Sequence, residues 1–165
     1  MTQKRLNTRY DFYNHYPENI GMYLESRVNP KFPKLVRSDV QIIIQMANKE
    51  IFPPIWVKEH PVIEGGYGAF ASRSIMEHEL ITTYSGSVLP TCKIEKYSIT
   101  PDYVMALFVG LNSLQNWSIV PHQWSSFGPM LNYASENGQG SNVETLTCYT
   151  DKQFLVILRA KKAIK

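Results

Sequence analysis

Glu64-Gly65-Gly66-Tyr67-Gly68-Ala69-Phe70-Ala71-Ser72-Arg73-Ser74-Ile75 decides how this chain is read, together with its sequel Leu80-Ile81-Thr82-Thr83-Tyr84-Ser85-Gly86. Three glycines within Gly65–Gly68 allow positive φ and let another group approach the backbone closely. A short apolar run follows, then a polar turn at Glu77-His78-Glu79, then a β-branched run ending in Tyr84-x-Gly86. The pattern predicts strand, turn, strand, with an open backbone at its start. A glycine cluster alone marks no more than a turn. It is not a dinucleotide fingerprint, because Ala69-Phe70-Ala71 leads into a β-rich segment rather than opening a helix. It is not a P-loop, because no Gly-Lys-Ser/Thr follows.

Outward from this stretch, the 165 residues suffice for one domain with a sizeable core. With 44% hydrophobic and 19% charged residues the composition is that of an ordinary globule. No apolar run approaches the roughly 20 residues of a membrane helix, so no membrane partner is expected. The polar, aromatic N-terminus shows no secretory pattern. Cys92 and Cys148 are too few for a four-cysteine zinc site and predict a reducing, intracellular home. His15, His60, His78 and His122 are scattered and suggest no metal centre. A net charge of +3 permits an acidic partner without indicating direct nucleic-acid binding.

Residues 1–37 form a polar and aromatic arm in this reading. Its cluster Tyr10, Phe12, Tyr13 and Tyr16 is expected to cover a surface of the domain. Gln3-x-x-Leu6-x-x-Arg9-Tyr10 is one aromatic short of the peptide that binds the replication sliding clamp. Residues 38–53 read as a helix. Ser38 is placed to cap it, with Gln41 at the reciprocal position. Val40, Ile43, Ile44, Ala47 and Ile51 predict its apolar face, and Pro53-Pro54 its stop. From residue 54 β signals dominate. Strands are expected at Ile55–Val57, Glu79–Tyr84 and Ser118–Val120, with a hairpin of Leu146–Tyr149 and Phe154–Leu158 around Asp151-Lys152. Residues 91–100 read as a loop or short helix, and Tyr103–Val109 as strand or helix. The fold class is therefore mainly β with a few helices.

The order Gly66-x-Gly68-x-Phe70-Ala71, then Ile81-x-x-Tyr84-x-Gly86, resembles the opening of the SET domain of protein-lysine methyltransferases. Met130-Leu131-Asn132 resembles that family's apolar-apolar-Asn core, and the hairpin follows it as in the family. Lys161-Lys162-Ala163-Ile164 resembles the segment after the hairpin. The likeness runs from about residue 54 to the end and looks most like the plant and ciliate trithorax-related enzymes that monomethylate histone H3. It implies a β-clip fold of short strands with a threaded C-terminal region, nuclear localisation, a histone H3 tail or other lysine-bearing protein as substrate, and S-adenosylmethionine as methyl donor. The resemblance places Gly66, Tyr67, Gly68, Asp102, Tyr103, Asn132 and Tyr133 around that cofactor and Tyr84 in the lysine channel, as the catalytic residue. The alternative is a catalytically inactive SET-like domain that binds peptides or scaffolds chromatin partners.

The chain departs from the family at three places. Pro129 stands for an arginine, Tyr133 for a histidine, and the sequence reaches Lys165 before the family's Gly-Glu-Glu-Leu and Tyr-x-Tyr elements. On that ground Phe154, Val156 and Leu158 are expected to lack part of their cover, leaving residues 1–165 marginally stable and inactive.

Overall fold

The computed structural model describes residues 36–61, 64, 66–94, 103–107, 117–121, 126–131, 141–149 and 154–165. The aromatic arm, the clamp-like peptide and the Asp151-Lys152 turn lie outside these residues.

Helix α1 spans Arg37–Ala47. The residue before it, Val36, is extended and makes no side-chain cap, so Ser38 sits in the first turn and does not cap the helix. The helix ends before the prolines: Asn48 N–H still donates to the Ile44 carbonyl, Lys49 N–H donates to that of Met46, and Lys49 swings to φ 62°. That left-handed residue is what turns the chain out of the helix. The buried stripe is Ile43 and Met46, with Ile42, Ala47 and Ile51 partly covered, whereas Ile44 faces outward. The stripe is therefore rotated from the expected face, because the unbranched Met46 fills the gap over the sheet.

Strands β1 (Ile55–Glu59) and β2 (Tyr67–Ala71) make a two-stranded antiparallel ribbon, with Trp56 opposite Phe70 and Lys58 opposite Gly68. A turn follows in which Glu79 holds the backbone N–H of Met76 (2.9 Å) and the Arg73 guanidinium (2.6 Å), while His78 takes φ 65°. This is the polar turn the sequence announces. Next come β3 (Leu80–Tyr84), β4 (Ser87–Pro90), the short helix α2 (Thr91–Ile94), β5 (Met105–Leu107) and β6 (Trp117–Val120). The 3-10 turn Gly128–Met130 precedes the hairpin of β7 (Val143–Tyr149) and β8 (Phe154–Ala160).

The strands form three small antiparallel sheets, ordered β1-β2, β3-β8-β7 and β4-β6-β5. Strand β8 is central, which explains its composition. Phe154-Leu155-Val156-Ile157-Leu158 is apolar at every position, not at alternate ones, because both of its faces are covered. Phe154, Val156 and Leu158 pack with Tyr84, Val88, Trp117 and Ile119 on the side of the β4-β6-β5 sheet. Leu155 and Ile157 pack with Leu80, Cys148, Ile43 and Met46 under α1. The expectation that Phe154, Val156 and Leu158 lack cover is thus overturned: they are at most 4% exposed. Each such burial contributes roughly 1.5–3 kcal/mol. The chain end is tied back by a two-way backbone bridge between Ile75 and Ile164, both bonds 2.9 Å.

Candidate functional site

Tyr84 ends β3, a strand buried at all five positions, and Ser85-Gly86 turn the chain into β4. Gly86 is dictated by contact. A Cβ there would lie 2.2 Å from the Val120 carbonyl oxygen, so only glycine lets the end of β6 close on this turn. Gly128 does the same on the other flank, where a Cβ would lie 2.6 Å from the Thr83 carbonyl oxygen and 2.8 Å from Tyr84 Cα. The 3-10 turn that Gly128 opens packs against both β2 and β3, so the segment leading to residue 132 comes down beside the Gly66–Gly68 strand.

The Tyr84 side chain is 6% exposed, and its hydroxyl donates to the Tyr103 carbonyl at 2.5 Å. Burial, with a smaller contribution from Tyr103, pushes the Tyr84 phenol up to about 12. It therefore stays protonated across the physiological range and acts as a donor. Met105 and Leu131 pack partly buried against the same cluster. Tyr103, whose carbonyl accepts that bond, is 50% exposed, and Tyr67 at the start of β2 is 58% exposed.

Two of the expected site residues, Tyr84 and Tyr103, meet directly although 19 positions separate them. Gly66 and Gly68 do not form a turn. The Gly66 carbonyl accepts from His60 N–H at 2.7 Å, and Gly68 is a buried ladder residue opposite Lys58. The glycine motif is thus the start of β2, with Tyr67 projecting from it opposite Glu59. Asp102, Asn132 and Tyr133 lie outside the described residues. Among the described residues no three His, Cys, Asp or Glu side chains converge as metal ligands.

Sequence reading passed over Thr83, Ser85 and Ser126, which form a buried polar cluster around Tyr84. Serine is common in loops, and neither Ser85 nor Ser126 lies in a periodic pattern that marks burial. Gly128 carried a signal in its position before Pro129, yet only its neighbours in space show its purpose.

No protein-family model and no curated protein sequence matches this chain. Solved structures do. The chain is similar to the structure of ATXR5 in complex with histone H3.1 mono-methylated on R26, with TM-score 0.72 and 15% identity over 95% of this chain and 76% of that one. It is equally similar to the ATXR5 SET domain in complex with histone H3 di-methylated on R26, at TM-score 0.72 and 16% identity, with the same coverage. CpSET8 from Cryptosporidium aligns at TM-score 0.55 and 16% identity over 90% of this chain and 74% of that one. At these identities the likeness carries the backbone architecture, and the chain has the fold of a SET domain.

Proposed function

We propose that this chain is a protein-lysine N-methyltransferase that uses S-adenosylmethionine and acts in the nucleus on a lysine of a histone H3 tail. The observation that carries the reading is the Tyr84 arrangement within a SET fold: a buried, protonated phenol held on the carbonyl of the half-open Tyr103. The histone claim is supported by the likeness to two structures that contain H3.

The described groups fit the proposed cofactor. Its sulfonium and its adenine suit the open faces of Tyr67 and Tyr103, since aromatic rings attract cations and stack on bases. Asn132, Tyr133 and Asp102 are proposed to complete its binding, with backbone groups of the Gly66–Gly68 stretch. When bound, the cofactor supplies an electrophilic methyl group.

The chain's own residues have the remaining work. A free lysine is protonated, with a pKa of about 10.4. A narrow apolar channel disfavours that charge and releases the neutral amine the reaction needs. Tyr84, fixed by its bond to Tyr103, forms one wall of such a channel and holds the amine in line. No protein nucleophile takes part.

Radiolabelled methyl transfer from S-adenosylmethionine onto an H3 peptide array tests the proposal. Labelling of H3 peptides that falls about a hundredfold in Tyr84→Phe is expected. Labelling confined to other proteins removes the histone claim. Peptide binding without transfer turns the reading into that of a binding module.

A further inference from the structure

Among the described residues, a buried polar cluster beside Tyr84 is built from hydroxyls. Ser126 Oγ donates to the Thr83 carbonyl at 2.5 Å and accepts from the Ser85 backbone N–H at 3.1 Å. Ser85 Oγ donates to Ser126 Oγ at 2.9 Å and accepts from the Ser126 backbone N–H at 2.8 Å. The exchange is reciprocal and dry: Ser85 is 0% exposed and Ser126 5% exposed. Thr83 and Ser85 are two residues apart, so their backbone groups share one edge of the strand. In the sheet order β3-β8-β7 that edge faces away from β8. One serine hydroxyl spans it as a neighbouring strand would. Just beyond, Gly128 lies on Tyr84 Cα. The segment 126–131 is thereby held on both sides of Tyr84 and at it.

We propose that Ser85 and Ser126 are positioning residues: their paired hydroxyls latch the segment leading to Asn132 onto the strand that carries Tyr84, and so fix the proposed cofactor side of the site relative to the lysine side. The consequence for catalysis rests on the methyltransferase reading. A latch of this kind touches neither reactant. Its loss lets the two sides drift, which costs alignment more than binding. In-line displacement is sensitive to such drift, and a shift of about 1 Å lowers a rate on the order of a hundredfold.

The test uses the full chain, with Ser126→Ala, Ser85→Ala and the double variant. Ser118→Ala is the control, since it removes a hydroxyl pair with Thr91 (2.9 Å) in the other sheet. Two readouts are followed: amide hydrogen exchange at Met130 and Leu131, whose N–H groups close the 3-10 turn, and steady-state methyl transfer to an H3 peptide. Expected for Ser126→Ala is faster exchange at both amides and a kcat lowered about ten- to a hundredfold, with KM for the peptide changed less than about threefold. The double variant should lose little more than Ser126→Ala, since the two act as one unit. Ser118→Ala should leave both readouts at wild-type values. Unchanged exchange, a loss carried by KM, or an equal loss in Ser118→Ala would overturn the latch. If the wild-type chain transfers no methyl group, the enzymatic reading fails, and the latch stands or falls on the exchange result alone. Ser85→Ala leaves Ser126 Oγ on Thr83 and serves as the milder variant should Ser126→Ala unfold.

Discussion

The β3-β8-β7 sheet and the β1-β2 ribbon are both antiparallel and both built from short strands, yet they are opposite in burial. Every residue of Leu80–Tyr84 is buried, as are all but one of Phe154–Ala160. In the ribbon, Trp56–Glu59 is exposed throughout, Trp56 at 51%. The difference follows from position. The central sheet has α1 on one face and the β4-β6-β5 sheet on the other, while among the described residues the ribbon sends Ile55 onto the small cluster of Ile75, Ile81 and Ala160 and meets the 3-10 turn. Stability therefore concentrates in the first region and accessible chemistry along the second. Of the tyrosines expected at the site, Tyr84 belongs to the buried region and Tyr67 to the open one.

The sharpest way to break this comparison is to cut one large aromatic side chain from each region. Phe154→Ala should cost about 3–5 kcal/mol, as a large side chain lost from a sealed core leaves a cavity. Trp56→Ala, though it removes more atoms, should cost no more than about 1 kcal/mol. Urea unfolding of both variants measures the contrast, and equal losses would mean that the ribbon is as essential to the core as β8.

The glycines come next. Gly86→Ala should cost about 1–3 kcal/mol, because the Cβ meets the backbone of Val120 and Pro121, which cannot rotate away. Gly128→Ala should cost a similar amount and also lower methyl transfer, since the displaced atoms include Tyr84 Cα. Thermal unfolding paired with the transfer assay separates the two effects.

Tyr84→Phe should cost about 1 kcal/mol, the net worth of its bond to the Tyr103 carbonyl. It also carries a pH signature. The folded phenol holds its proton to about 12, above the ordinary value of 10.0. The folded state therefore binds this proton more tightly than the unfolded chain. Its contribution is complete below pH 10 and is lost as pH rises from there to about 12. Stability measured between pH 9 and about 12 should fall less steeply in Tyr84→Phe than in the wild type.

The smallest effect belongs to the turn between the two regions. Arg73→Gln should change stability by about 0–1 kcal/mol, because its pair with Glu79 is exposed. Arg73 holds the Glu79 carboxyl below the ordinary carboxylate range, so its contribution is present above pH 4.5 and is lost as pH falls below that. Acid unfolding of Arg73→Gln beside the wild type checks the slope.

Much of the fold was legible in particular residues. The β-branched run before Tyr84 and the apolar run Phe154–Leu158 are strands because no other local structure suits them. The polar turn at Glu77–Glu79 has the charged residues its bonds require. Helix α1 was legible in kind and start, but its buried face was not. Ile44 and Met46 are equally apolar, and the sheet beneath decides which one is covered. The Gly66–Gly68 stretch was misread as a turn because glycine permits a turn; the pairing of Lys58 with Gly68 makes it a strand.

By itself, the sequence determined the β class, several of the strands and the motifs that resemble a SET domain, because periodicity and turn chemistry act between neighbours in the chain. Only the tertiary structure decided that the Tyr84 hydroxyl donates to the Tyr103 carbonyl, that Gly86 and Gly128 are spaces for other backbones, and that Ser85 and Ser126 pair their hydroxyls out of water. Those are relations between residues 19 to 45 positions apart. Such pairs leave no local pattern: burial and partner choice are properties of the packed chain, where an unbonded polar group costs about 1–3 kcal/mol and a bonded one is tolerated.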